Sequence, residues 1–125
     1  MRIYIPGNVP SLKNSKQWTG SHLVPSKTVQ RYKKEAGPHY LIKKKQFLEM
    51  VENRITPLYL SFHFIRDSRR KFDFHNAVQI VLDMMTEYGW IPDDNADEVV
   101  PFFLPYSYQK GQGGVYISTF DTFFD

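Results

Sequence analysis

The chain of 125 residues contains no cysteine, which excludes disulfides and thiolate metal ligands alike. That absence fits a reducing compartment, so the expectation is a cytoplasmic protein. Apolar runs are also short: none approaches the ~20 residues that a membrane span requires. The opening MRIYIPGNVPS breaks at Pro6 and Gly7 and lacks the apolar core of a signal peptide. Acids are scarce in one half only. Residues 1–71 hold 15 of the 16 Lys and Arg but four acids, a net of +11; residues 72–125 hold Lys110 and nine acids, a net of −8. Such a split implies a cationic surface for an anionic ligand beside a patch of carboxylates, although basic side chains also serve simply to solvate helix surfaces.

Aromatics at 16% and hydrophobics at 42% are ample for a packed core, and the length suits one domain over residues 1–125. RIYIP (2–6) alternates and ends at a Pro-Gly break, as a short strand does. Residues 7–25, rich in Pro, Gly, Ser and Asn, read as a long loop carrying Lys13, Lys16, Trp18 and His22. Ser26 is placed to cap a helix to about Ala36, where Gly37-Pro38 is expected to stop it. A second helix is expected over 39–52, basic at Lys43, Lys44 and Lys45, with Phe47, Leu48 and Val51 as its apolar stripe. Pro57 opens the strand 58–66, and the turn that follows carries Arg69, Arg70 and Lys71. The spacing from Asn76 to Tyr88 predicts a helix that is apolar on more than one face and ended by Gly89. VVPFFLPYSY (99–108) and VYISTF (115–120) flank the glycine-rich KGQGG as a hairpin, with Pro101 and Pro105 pushing the first strand towards an edge. The order β-α-α-β-α-β-β describes an α+β domain with a small mixed sheet and about three helices.

The acids are the unusual feature. Asp73 stands just before the apolar helix, where Asp is a favoured cap. Asp93 and Asp94 follow it, with Asp97 and Glu98 close behind. Adjacent carboxylates repel unless a cation or strong donors offset them. A hard divalent cation such as Mg²⁺ prefers oxygen ligands of this kind. The basic residues Lys13, Lys16, Lys43, Lys44, Lys45, Arg69, Arg70 and Lys71 are the expected contacts to DNA phosphates.

In this arrangement the chain resembles the RusA-type Holliday junction resolvases, endonucleases of DNA recombination and repair. Arg69-Arg70-Lys71, Asp73, Asn76, Asp83, Gly89-Trp90 and Asp93-Asp94 follow the family spacing without a gap. IPGNVPSLKN (5–14) and PLYLSFHF (57–64) extend the likeness. The resemblance implies Mg²⁺-dependent hydrolysis of phosphodiesters in four-way DNA junctions by a homodimer, with Asp73 and Asp94 as metal ligands and Asp93 in support. Two positions depart from the pattern: His75 replaces the family's second metal-binding Asp, and Gln79 its helix Lys. Imidazole suits Mn²⁺ better than Mg²⁺. His75 therefore leaves three readings open, namely a metal ligand with altered preference, a general base, or lost turnover. The last would make the chain a junction-binding protein without catalysis.

Chain geometry adds an expectation about the dimer. A helix over 76–88 is about 20 Å long. Residues 89–93 span at most ~17 Å, too little, on this reckoning, to return Asp94 to its own Asp73. Antiparallel copies of the helix would bring Asp94 of one subunit to Asp73 of the other. Val78, Val81, Met85 and Tyr88 would then form the interface, giving composite sites for two symmetric cuts.

Overall fold

In the computed structural model, residues 1–11, 16–18 and 23–120 are described. Their elements are β1 (Ile3–Pro6), β2 (Lys16–Trp18), β3 (Leu23–Pro25), α1 (Lys27–Val51), β4 (Leu58–Arg66), α2 (Phe74–Glu87), β5 (Val99–Phe103), β6 (Ser107–Tyr108) and β7 (Gly114–Thr119). The fold is α+β, with a mixed five-stranded sheet in the order β1-β7-β4-β5 and β6 also on β4. β7 runs antiparallel to β1 and β4, while β5 and β6 run parallel to β4. Hence β1, β4 and β5 all point one way, and their carboxyl ends share one edge of the sheet.

Alternation along the strands sets the core. Leu58, Leu60, Phe62 and Phe64 of β4, Val115 and Ile117 of β7, and Ile3 and Ile5 of β1 are buried. They meet Val29, Tyr32, Ala36, Tyr40 and Phe47 of α1 and the apolar residues of α2 in one cluster. The alternate residues Tyr4, Tyr59, His63 and Tyr116 remain partly exposed on the other face.

Two helices are found among the described residues where about three were expected. α1 is continuous through Gly37 and Pro38. Pro38 is exposed, as is Lys34, whose carbonyl it leaves without an intrahelical donor, so water can satisfy that group. Tertiary packing then decides the matter. The Tyr88 hydroxyl would stand 2.3 Å from a Cβ at Gly37, so only glycine lets α2 approach α1 here. Tyr40 is fully buried, and its carbonyl accepts the indole N–H of Trp90 at 2.8 Å. Of the expected stripe, Phe47 is buried, Val51 half-buried and Leu48 exposed.

The segment read as a loop over 7–25 contains the antiparallel pair β2–β3. The expected strand 99–108 is interrupted and forms no hairpin with β7: β5 and β6 lie in succession along one side of β4, and β7 pairs the other. No helix among the described residues is long and apolar enough to cross a membrane.

Candidate functional site

Both helices begin at the edge where β1, β4 and β5 end. Ser26 caps α1 by accepting the N–H of Val29 at 3.3 Å, and Asp73 caps α2 by accepting that of His75 at 2.8 Å. The positive ends of two helix dipoles therefore face the carboxyl ends of three parallel strands, where ligands of open α/β sheets commonly bind. The amide N–H of Asp67 bonds the Asn8 side chain at 3.1 Å, and the Asn76 amide reaches the Ser11 carbonyl at 3.5 Å. These contacts tie the loop after β1 to the turn after β4 and to the first turn of α2.

Arg66 closes β4 and is 7% exposed. Its guanidinium donates to the Val9 carbonyl and lies 4.6 Å from the centre of the Phe72 ring. Burial pulls its pKa down, while Asp67 and Tyr106 act in the other direction. Arg69, which lies over the Tyr108 ring at 4.3 Å, Arg70 and Lys71 follow on the exposed turn. The expected basic turn thus stands beside Asp73. Lys43, Lys44 and Lys45 do not join it. They lie 16 or more residues into α1, about 24 Å along its axis, where Lys44 passes close to Gly89. Lys13 lies outside the described residues, and for Lys16 only the place in β2 is described.

α2 is buried on both flanks and shows water a strip of His75, Gln79, Asp83 and Glu87, one residue per turn. The Gln79 amide gives its two N–H groups to carboxylates on either side, Asp83 at 2.8 Å and Asp94 at 2.7 Å. Ionised carboxylates only accept, which fixes the orientation of the amide. Asp94 is therefore folded back along α2. Gly89, at φ 78°, turns the chain, the Trp90 N–H returns to the Met85 carbonyl at 2.8 Å, and Trp90 anchors beneath Tyr40. Asp93 is engaged by its own neighbours instead. Its carboxylate accepts the Asp94 N–H at 2.8 Å and the Asn95 amide at 3.1 Å, which hold its pKa below the ordinary carboxyl value.

Asp94 reaches back only as far as Gln79, six residues short of Asp73, but the expected dimer interface is not available. The chain reverses at Gly89, which sets Asp94 beside Gln79 of its own helix. Val78, Val81 and Met85, expected at an interface, are 6%, 0% and 0% exposed within the single chain, and half-buried Tyr88 packs on α1. The second apolar face of α2 is covered by the chain itself.

The donor set suits a hard cation. Asp83 and Asp94 each offer one oxygen to the same Gln79 amide, and carboxylate oxygens are the ligands Mg²⁺ prefers. The Gln79 amide hydrogens point at these oxygens, so a cation would require Gln79 to turn its carbonyl inward. Among the described residues no group of three potential ligand side chains is assembled, so Asp73, His75 and Asp94 are not gathered as one set. Asp83 and Gln79 are the additions to the expected site, and their i, i+4 spacing was the signal in the sequence. Thr28, Asn8 and Arg66 gave no such signal. No protein-family model matches the chain, and no curated protein matches it.

Proposed function

We propose that the chain is a metal-dependent endonuclease that hydrolyses phosphodiesters in four-way or otherwise branched DNA. The observation that carries this reading is the meeting of two helix N-termini and the cations Arg66, Arg69, Arg70 and Lys71 with Asp73 at one edge, with Asp83 of α2 and Asp94 beyond it sharing the Gln79 amide nearby. The cations and helix ends would hold the backbone phosphates by charge, without reading bases. Asp94, with Asp83 or Asp73, would hold Mg²⁺, and Mn²⁺ if His75 takes part. The bound cation would polarise the phosphate and activate water. Exposed His75, one residue inside α2, is within reach of solvent as a ligand or a proton acceptor.

A second reading, a junction-binding protein without turnover, is favoured by Gln79 and His75. The first already satisfies both carboxylates, and the second replaces an acid. Incubation of the protein with an end-labelled four-way junction and Mg²⁺ or Mn²⁺ separates the two. The endonuclease gives nicks at symmetric positions, which Asp73→Asn and Asp94→Asn abolish while binding persists. Salt-sensitive binding with an intact junction selects the second reading. Binding with a flat salt dependence overturns both.

A further inference from the structure

A cavity of 410 Å³ opens at this edge, between the loop after β1, the first turn of α1 and the turn after β4. Ser11, Thr28, Arg66, Asp67, Arg70 and Lys71 are among its lining residues. Three cations against one carboxylate leave the lining at +2, with Asp67 favouring the charged form of its neighbour Arg66. Arg66 is more than nine-tenths buried, and its bond to the Val9 carbonyl and its place over the Phe72 ring hold its charge fixed in the cavity wall. Hydroxyls of Ser11 and Thr28, and a helix N-terminus capped by Ser26, add donors on the facing wall. A second hollow of 320 Å³ shares Asn8, Pro10, Thr28 and Asp67 with the first, so the depression continues along α1 rather than ending blind.

We infer that this cavity is a phosphate subsite, holding one phosphate group of a nucleic-acid strand between Arg66, Arg70, Lys71 and Thr28. This deepens the reading above: the identity of the strand rests on that reading, while capture of phosphate does not. The Asn76–Ser11 contact joins the subsite to the first turn of α2. A strand anchored there is led past Asp73.

The test uses the full chain, free of metal and at low ionic strength, titrated with inorganic phosphate and then with tetrathymidylate bearing either a 5′-phosphate or a 5′-hydroxyl. Binding is read by amide chemical shifts and calorimetry. Thr28→Glu puts a carboxylate at the mouth of the cavity. Thr28 is exposed at the second position of α1, where an acid suits the helix dipole, so the fold is kept. Thr28→Glu and Arg70→Gln should each weaken phosphate binding at least about tenfold. Glu52→Gln, at the opposite end of α1 from the cavity, should leave it unchanged. Equal binding of the two oligonucleotides, with shifts at Arg66 and Thr28, assigns a phosphate within the strand; binding that needs the 5′-phosphate assigns a strand end. Phosphate binding that ignores both Thr28→Glu and Arg70→Gln, or no binding at all, overturns the subsite. Failure to cut a junction leaves the phosphate result standing, so the two readings fail separately.

Discussion

Replacing Gln79 by glutamate puts a third carboxylate between two others at almost unchanged size. Parent Gln79 donates at 2.8 and 2.7 Å to Asp83 and Asp94. Loss of two hydrogen bonds on an exposed face costs about 0.5–1 kcal/mol each. Like charges at such separations repel by ~1 kcal/mol per pair even in water, before side chains swing apart and salt screens them. Relaxation recovers part of this, so the net loss is ~1–2 kcal/mol at neutral pH, or about 4–8 °C in melting temperature for a domain of this size. Gln79→Leu removes the bonds without adding charge and should lose less. Thermal melts of both variants should converge in acid, as the introduced glutamate is protonated, and millimolar Mg²⁺ should raise the glutamate variant more than the parent. A glutamate variant as stable as the parent at pH 7, with no response to acid or Mg²⁺, would refute the bracket that Gln79 forms and the folded-back position of Asp94 with it.

Asp73→Ala should cost about 1 kcal/mol in urea denaturation through the lost cap, whereas Asn, itself a good cap, should cost under ~0.5; both should abolish junction cleavage if Asp73 serves the metal. The carboxyl of Asp93 sits below its ordinary value of 3.8, so its contribution is present above that value and is lost as pH falls through the lower folded one. Asp93→Asn should therefore flatten the acid limb of a melting-temperature profile taken from pH 5 to pH 2. Gly37→Ala sets a helix-propensity gain of ~1 kcal/mol against overpacking of about 1–3 kcal/mol on the Tyr88 hydroxyl, 2.3 Å from the new methyl group. The single variant should be net destabilised, and in a double-mutant cycle with Tyr88→Ala the double variant should lose less than the sum of the two singles, a deficit that a clash-free site would lack.

The caps at Ser26 and Asp73 were legible because capping is decided within four residues, and β1, β4, α2 and β7 because their periodicities are unbroken. Gly37-Pro38 misled for the opposite reason. The local rule for stopping a helix was overridden by Tyr88, 51 residues away in the chain and in contact only once the fold is made. The reach argument for Asp94 considered only the span of 89–93 back to Asp73 and left out the nearer partner Gln79. A φ of 78° at Gly89 turns the chain towards it, and the anchoring of Trp90 under Tyr40 depends on α1. The acids themselves were visible in sequence; their amide bridge needed the turn.

An unbroken α1 acts as a ruler. Its first turn borders the cavity with Arg66 and Arg70, and its three lysines begin 16 residues later, so the two cationic groups are held about 24 Å apart by one rigid rod. For a duplex lying along that rod, the interval is about seven base pairs at ~3.4 Å each. A break at Gly37-Pro38 would have left the interval undefined; the glycine that admits Tyr88 thereby fixes the spacing of the two cationic groups.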